Sequence, residues 1–278
     1  QLKEGLQVIG GSAFRNCKAL RDVTLPSSVI ELRGRAFDYC SSLVNLQLNE
    51  GLQVIGSDAH LNCFTASRSV TIPSSVTTLG KGAFLRCMNL SEVIFLSGKT
   101  LLDQEFFSRG IFSEDQGILN QGAIKEMLFD DDTSFVFNGC PLINVKISIG
   151  WALSERMARL PKECMRSVEE RIHNLHHLEL LQDGDVLACF PVVRTANAHD
   201  GAYQVQDTNL ETSRSLYREL QFIAFYELKE TSILIELAFW KSIIDKGGDR
   251  ACPVAIPGPA KSLLMEYCGF AGFLRPAF

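Results

Sequence analysis

The chain of 278 residues is 46% hydrophobic and carries a formal net charge of −5, enough apolar material for one large core or two moderate ones. The acidic balance and the lack of a Lys/Arg run exclude the basic stripe that a nucleic-acid backbone requires. The apolar stretch ILIELAFW at 233 to 240 carries Glu236 and falls well short of the roughly 20 residues of a membrane span, and no secretory leader is legible at the start, Gln1.

In chain order, the phrase GLQVIGGSAFRNC at 5 to 17 returns as GLQVIGSDAHLNC at 51 to 63. Ala, an aromatic and a Cys recur as Ala13-Phe14…Cys17, Ala36-Phe37…Cys40, Ala59-His60…Cys63 and Ala83-Phe84…Cys87, spaced 23, 23 and 24 residues. Apolar pairs stand upstream of each Ala: Leu6 and Ile9, Val29 and Leu32, Leu52 and Ile55, Val76 and Leu79. After each Cys comes a short alternating run: Leu20-x-x-Val23-x-Leu25, Leu43-x-x-Leu46-x-Leu48, Val70-x-Ile72 shifted by one residue, and Leu90-x-x-Val93-x-Phe95. Period 2 predicts strands with one side inward. A unit this small cannot bury its apolar face alone, so the register predicts units stacked into a solenoid with a shared core.

The pattern Ala-Phe-x-x-Cys-x-x-Leu, with LPSSV at 25 to 29 and IPSSV at 72 to 76, resembles the BspA-like leucine-rich repeats of bacterial and protist surface proteins. It covers residues 1 to about 96 and a degenerate unit near 135 to 149. The resemblance implies a curved solenoid with one parallel strand per repeat, acting in adhesion or protein recognition and not in catalysis. The strand exits alternate between Glu-Gly (4 to 5, 49 to 51 in the form Asn-Glu-Gly) and Pro-Ser-Ser (26 to 28, 73 to 75), so repeats were duplicated in pairs. Pro26 and Pro73 suit a strand end because proline cannot donate to a ladder. Residue 2 aligns with residue 25, which starts the array on an open rung and sets the expectation of further repeats or a cap before it.

His60 replaces a repeat phenylalanine, in the unit that also has Ala66 for Leu and the extra residue, and reads as drift in a weakened repeat. Of nine cysteines, Cys17, Cys40, Cys63, Cys87 and Cys140 fall at the repeat position and read as a file of small buried thiols. The odd count argues against a disulfide framework. One cysteine per rung makes a row and not a zinc tetrahedron.

Between Phe95 and Phe137 the rhythm breaks. Residues 97 to 138 read as an insertion looping out between the fourth and fifth units. Residues 97 to 150 hold 4 basic and 8 acidic residues, yet Asp130, Asp131 and Asp132 lack the spacing of a calcium loop. The domain plan is therefore a solenoid over 1 to 150 and a mostly helical domain or cap over 151 to 278, an α/β chain overall. In the second part a helix is predicted from Ser154, Pro161 interrupts it, and KECMRSVEERIHNL (162 to 175) is amphipathic. Asp183-Gly-Asp185 predicts a turn, 186 to 193 a buried strand or connector, and 195 to 210 a polar loop. Two hairpin helices follow, one with Leu216, Leu220 and Ile223 inward, the other, after Thr231-Ser232, with Ile233, Leu237, Trp240 and Ile244. Pro257-Gly-Pro259 turns into a short helix and an aromatic tail holding Phe270 and Phe273.

No hydrolase elbow, zinc-protease or dinucleotide motif is present, and Lys261-Ser262 lacks the glycines of a phosphate loop. No cofactor or metal is therefore expected. His173, His176 and His177 have helical spacing but no fixed third ligand. The leading expectation is a binding scaffold whose outward strand residues meet a protein partner: Asp22 and Thr24, Asn45 and Gln47, Ser69 and Thr71, Glu92 and Ile94, Asn144 and Lys146. The alternative is an enzyme in the C-terminal part, with His173, His177 or Cys189 as candidates. A third reading has residues 151 to 278 closing the solenoid's apolar end.

Overall fold

The computed structural model describes residues 2–57, 68–108, 117–129, 135–194 and 203–245. His60, Cys63, Asp130 to Asp132, and the turn, short helix and aromatic tail expected after residue 245 lie outside the described residues.

Each N-terminal repeat contributes two strands, where the resemblance implied one. The first file is a parallel sheet of two-residue strands in neighbouring order: β1 (Val8–Ile9), β3 (Glu31–Leu32), β5 (Val54–Ile55) and β7 (Thr78–Leu79). Strands this short show no alternation for periodicity to detect. The second file holds the expected runs as β2 (Asp22–Thr24), β4 (Asn45–Gln47), β6 (Ser69–Ile72), β8 (Glu92–Phe95) and β9 (Asn144–Ser148). Here β2 pairs with β4, and β6, β8 and β9 pair in series, all parallel. Among the described residues no ladder joins β4 to β6. That break falls in the repeat with the extra residue.

The inward residues form one core. Ile9, Leu32 and Ile55 are at most 2% exposed, as are Phe37, Phe84 and Phe137, and Cys40, Cys87 and Cys140. Repeat counterparts lie over one another: Phe14 stacks on Phe37 with centroids 5.2 Å apart, and Phe84 on Phe137 at 4.9 Å. The cysteine has a second task besides filling space. Cys40 Sγ donates to the Phe14 carbonyl at 3.0 Å and Cys140 Sγ to the Phe84 carbonyl at 2.9 Å, so each thiol satisfies a backbone acceptor of the rung before it. The residue preceding Cys is left-handed at Asn16, Tyr39, Arg86 and Gly139, which tightens the turn. Cys164 and Cys189 are free thiols.

The alternation of turns also has a bonding reason. Glu4 accepts from the Ser27 and Ser28 N–H groups at 3.2 and 3.3 Å, and Glu50 from those of Ser74 and Ser75 at 2.8 and 3.1 Å. Each Glu-Gly turn thereby clamps the Ser-Ser turn of the next rung. Burial works upward on the Glu50 carboxyl, but the hydrogen bonds from Ser74 and Ser75 prevail and hold it below its ordinary value. Gly51, at φ +109, is required because a Cβ there would lie 2.2 Å from the Ser27 carbonyl oxygen.

β8 and β9 are direct neighbours, so the stretch between them leaves the solenoid after the fourth rung and returns at the fifth. Its described residues, 98–108 and 117–129, carry short helices. Helices α1 (Gly98–Leu101), α2 (Gln104–Ser108) and α3 (Gln121–Leu128) bury Leu101, Phe106, Ile124 and Leu128 in the common core. Helices of 4, 5 and 8 residues are too short to show a clear helical period.

After β9 come α4 (Gly150–Met157), α5 (Lys162–His173), β10 (Leu178–Leu180), β11 (Val186–Arg194), β12 (Tyr203–Val205) and α6 (Glu211–Asp245). Helix α4 starts four residues before the expected Ser154. Its N-terminus is packed against Asp185, which also accepts from the Ser148 hydroxyl at 3.0 Å and the Val186 N–H at 2.8 Å. The aspartate reaches Gly150 from a distant turn without capping the helix by a hydrogen bond. Tyr203-x-Val205 makes a strand inside the expected polar loop, pairing with Val192 to Arg194. The two expected hairpin helices are one continuous helix: no Gly or Pro stands near Thr231-Ser232 to end it. Leu216, Leu220 and Ile223 face the core as expected. Cross-helix pairs hold α6, among them Arg156 with Glu227 at 2.8 Å and Arg171 with buried Glu219 at 3.0 Å. Burial pushes the Glu219 carboxyl up, with Arg171 opposing.

β11 lies antiparallel along β9, from Leu187 opposite Ser148 to Pro191 opposite Asn144, and β10 pairs with the other edge of β11. The solenoid sheet thus continues without a break past residue 150. Among the described residues no helix is long and apolar enough to cross a membrane.

Candidate functional site

The candidate surface is the outer face of the second strand file. Strands β2 and β4 each read exposed, buried, exposed, because Val23 and Leu46 turn into the core. The parallel register sets the outward residues side by side: Asp22 beside Asn45 and Thr24 beside Gln47; Ser69, Glu92 and Asn144 in one row; Thr71, Ile94 and Lys146 in the next. Adjacent strands of a sheet stand about 4.8 Å apart. The Thr24 hydroxyl reaches Gln47 Oε1 at 3.5 Å.

Exposure changes along these rows. Asp22, Thr24, Asn45, Gln47, Ser69 and Thr71 are exposed; Glu92, Ile94 and Asn144 are half-buried. Lys146 is only 8% exposed, unlike the open position expected of it. The cause is β11, whose Cys189 lies opposite Lys146 and which brings β10 alongside. Lys146 Nζ then sits 2.6 Å from Glu179 Oε2 and 3.1 Å from Glu92 Oε2. Burial works against the ammonium, but the two carboxylates prevail and raise its pKa.

At this end of the rows is a cleft of about 500 Å³ with Glu92, Asn144, Lys146, His177, Glu179 and Cys189 among its lining residues. His177 Nε2 pairs with Glu211 Oε2 at 3.2 Å. His176 also lines the cleft, whereas His173 ends α5 outside it. Burial pushes the Cys189 thiol up to about 11, with Lys146 opposing and the glutamates adding. That is the reverse of the thiolate activation a nucleophile needs. Among the described residues no three His, Cys, Asp or Glu side chains form a metal-binding group. Sequence reasoning missed Glu179, since only the pairing of β10 with β11 brings it to Lys146.

A family model described as BspA type leucine rich repeat region matches residues 1–111, with 6 copies. The fifth rung, with Phe137 and Cys140, lies beyond that match. The crystal structure of the leucine rich repeat protein TpLRR from T. pallidum is similar at 29% identity, over 33% of this chain and 54% of that one, with a TM-score of 0.29. The chain thus spans about half the length of that protein. No curated protein matches. Residues 1–111 are thus similar to BspA-type leucine-rich-repeat regions, in agreement with the recurring Phe and Cys and the stacked parallel rungs.

Proposed function

We propose that the chain is a non-catalytic recognition module that binds a protein partner on the outer face of its second strand file. Repeats of this type are generally protein-interaction or adhesion modules. The observation that carries the reading is the alignment of outward polar side chains in register within each ladder, Asp22 with Asn45 and Ser69 with Glu92 and Asn144, over a buried core. A preorganised polar surface binds with little ordering cost in its backbone. Residues 151 to 278 act on this reading as a cap, with β11 covering the last rung. Catalysis at Cys189 is disfavoured by its raised pKa.

Replacing Asn45, Gln47, Ser69 and Thr71 together by alanine tests the face. These side chains are exposed, so melting should stay within about 1 kcal/mol of the parent, and partners recovered by affinity capture with the parent chain should be lost. Retained capture would discredit this surface.

A further inference from the structure

We propose that the end cleft receives a basic side chain of the protein partner, with arginine the best fit; the inference rests on the face reading above. The cleft begins where the outward rows end, since Glu92, Asn144 and Lys146 are members of those rows and also line it. A partner lying across the strands therefore meets it at one end.

Its charge is unbalanced. Lys146 is the ammonium between two carboxylates, Glu92 and Glu179, which leaves one negative charge uncompensated. Among the described residues no second cation pairs with either carboxylate. His177 is engaged by Glu211 and does not make up the difference. The geometry places the surplus outward: the side chains of Glu92 and Glu179 are 32% and 44% exposed, against 11% for Lys146. An incoming group meets carboxylate first. An anion is repelled there, while a planar guanidinium has donors enough to bridge both carboxylates beside the lysine. Partial burial strengthens such a pair relative to open solvent.

The test uses ¹⁵N-labelled full chain titrated with Nα-acetyl-arginine amide, and in parallel with the citrulline amide, its neutral isostere. The arginine probe should shift the amides of Glu92, Asn144, Lys146, Glu179 and Cys189, and citrulline should leave them in place. The double variant Glu92→Gln/Glu179→Gln should weaken the arginine response at least tenfold. Equal responses to the two probes, no arginine response in the cleft, or an unchanged titration in the variant would each overturn the proposal. The comparison of probes on the parent chain needs no variant to fold. A single amino acid reaches the cleft alone, so failure here removes the basic anchor and leaves the face to stand or fall by the capture experiment.

Discussion

The first and fifth rungs carry the same motif and treat it differently. In the first rung Leu2, Phe14, Cys17 and Leu20 are only half-buried; one rung on, their counterparts Leu25, Phe37, Cys40 and Leu43 are at most 1% exposed. In the fifth rung Phe137 and Cys140 are again at most 2% exposed, and β9 lies against β11. The residue type is constant, so burial is a property of having a neighbour. A rung buries its own side chains only when another surface lies over them.

The largest test of that difference is a pair of truncations. Phe84→Ala removes a ring with 0% exposure that stacks on Phe137, and should cost about 3–5 kcal/mol. Phe14→Ala, at the half-buried end, should cost well under half as much. Urea unfolding of both variants measures the contrast, and equal losses would break it.

The covered end is next. In Gly150→Ala the new Cβ would lie 2.0 Å from Asp185 Oδ1, forcing that carboxylate off the Ser148 hydroxyl and the Val186 N–H that tie the β10–β11 turn to β9. A loss of about 1–3 kcal/mol is expected, with amide exchange in β9 rising toward that of an edge strand. Unchanged exchange in β9 would show that β11 does not protect it.

The smallest effect concerns the clamp between rungs. The Glu50 carboxyl is held below its ordinary value of 4.5, so its contribution is present above that pH and lost as pH falls through the lowered value. Glu50→Gln should cost about 1 kcal/mol at neutral pH, discounted for exposure. The difference between variant and parent should close in acid. A gap that persists at pH 2 would assign the loss to packing instead.

Residues 1 to 96 were legible because stacking demands the same inward residue at every turn, and identity at a fixed interval survives in a one-dimensional record. Ala-Phe-x-x-Cys named the core positions, and alternation named the outward ones on β2, β4 and β6. The first strand file was not legible, because two residues carry no period. The clamp of Glu50 on Ser74 showed in the sequence only as alternating turns, since a hydrogen bond between rungs joins residues 24 apart.

What the tertiary structure alone decided is the far end. Nothing local predicts that 186 to 194 pairs with 144 to 148, for an antiparallel partner is chosen by the edge left open and by the hairpin that reaches it. That pairing buried Lys146, brought Glu179 to it and made the cleft. The sequence by itself determined a stacked core and an outward polar row, because both repeat; long-range pairing determined where that row ends and in what charge, because contact in space does not repeat along a chain.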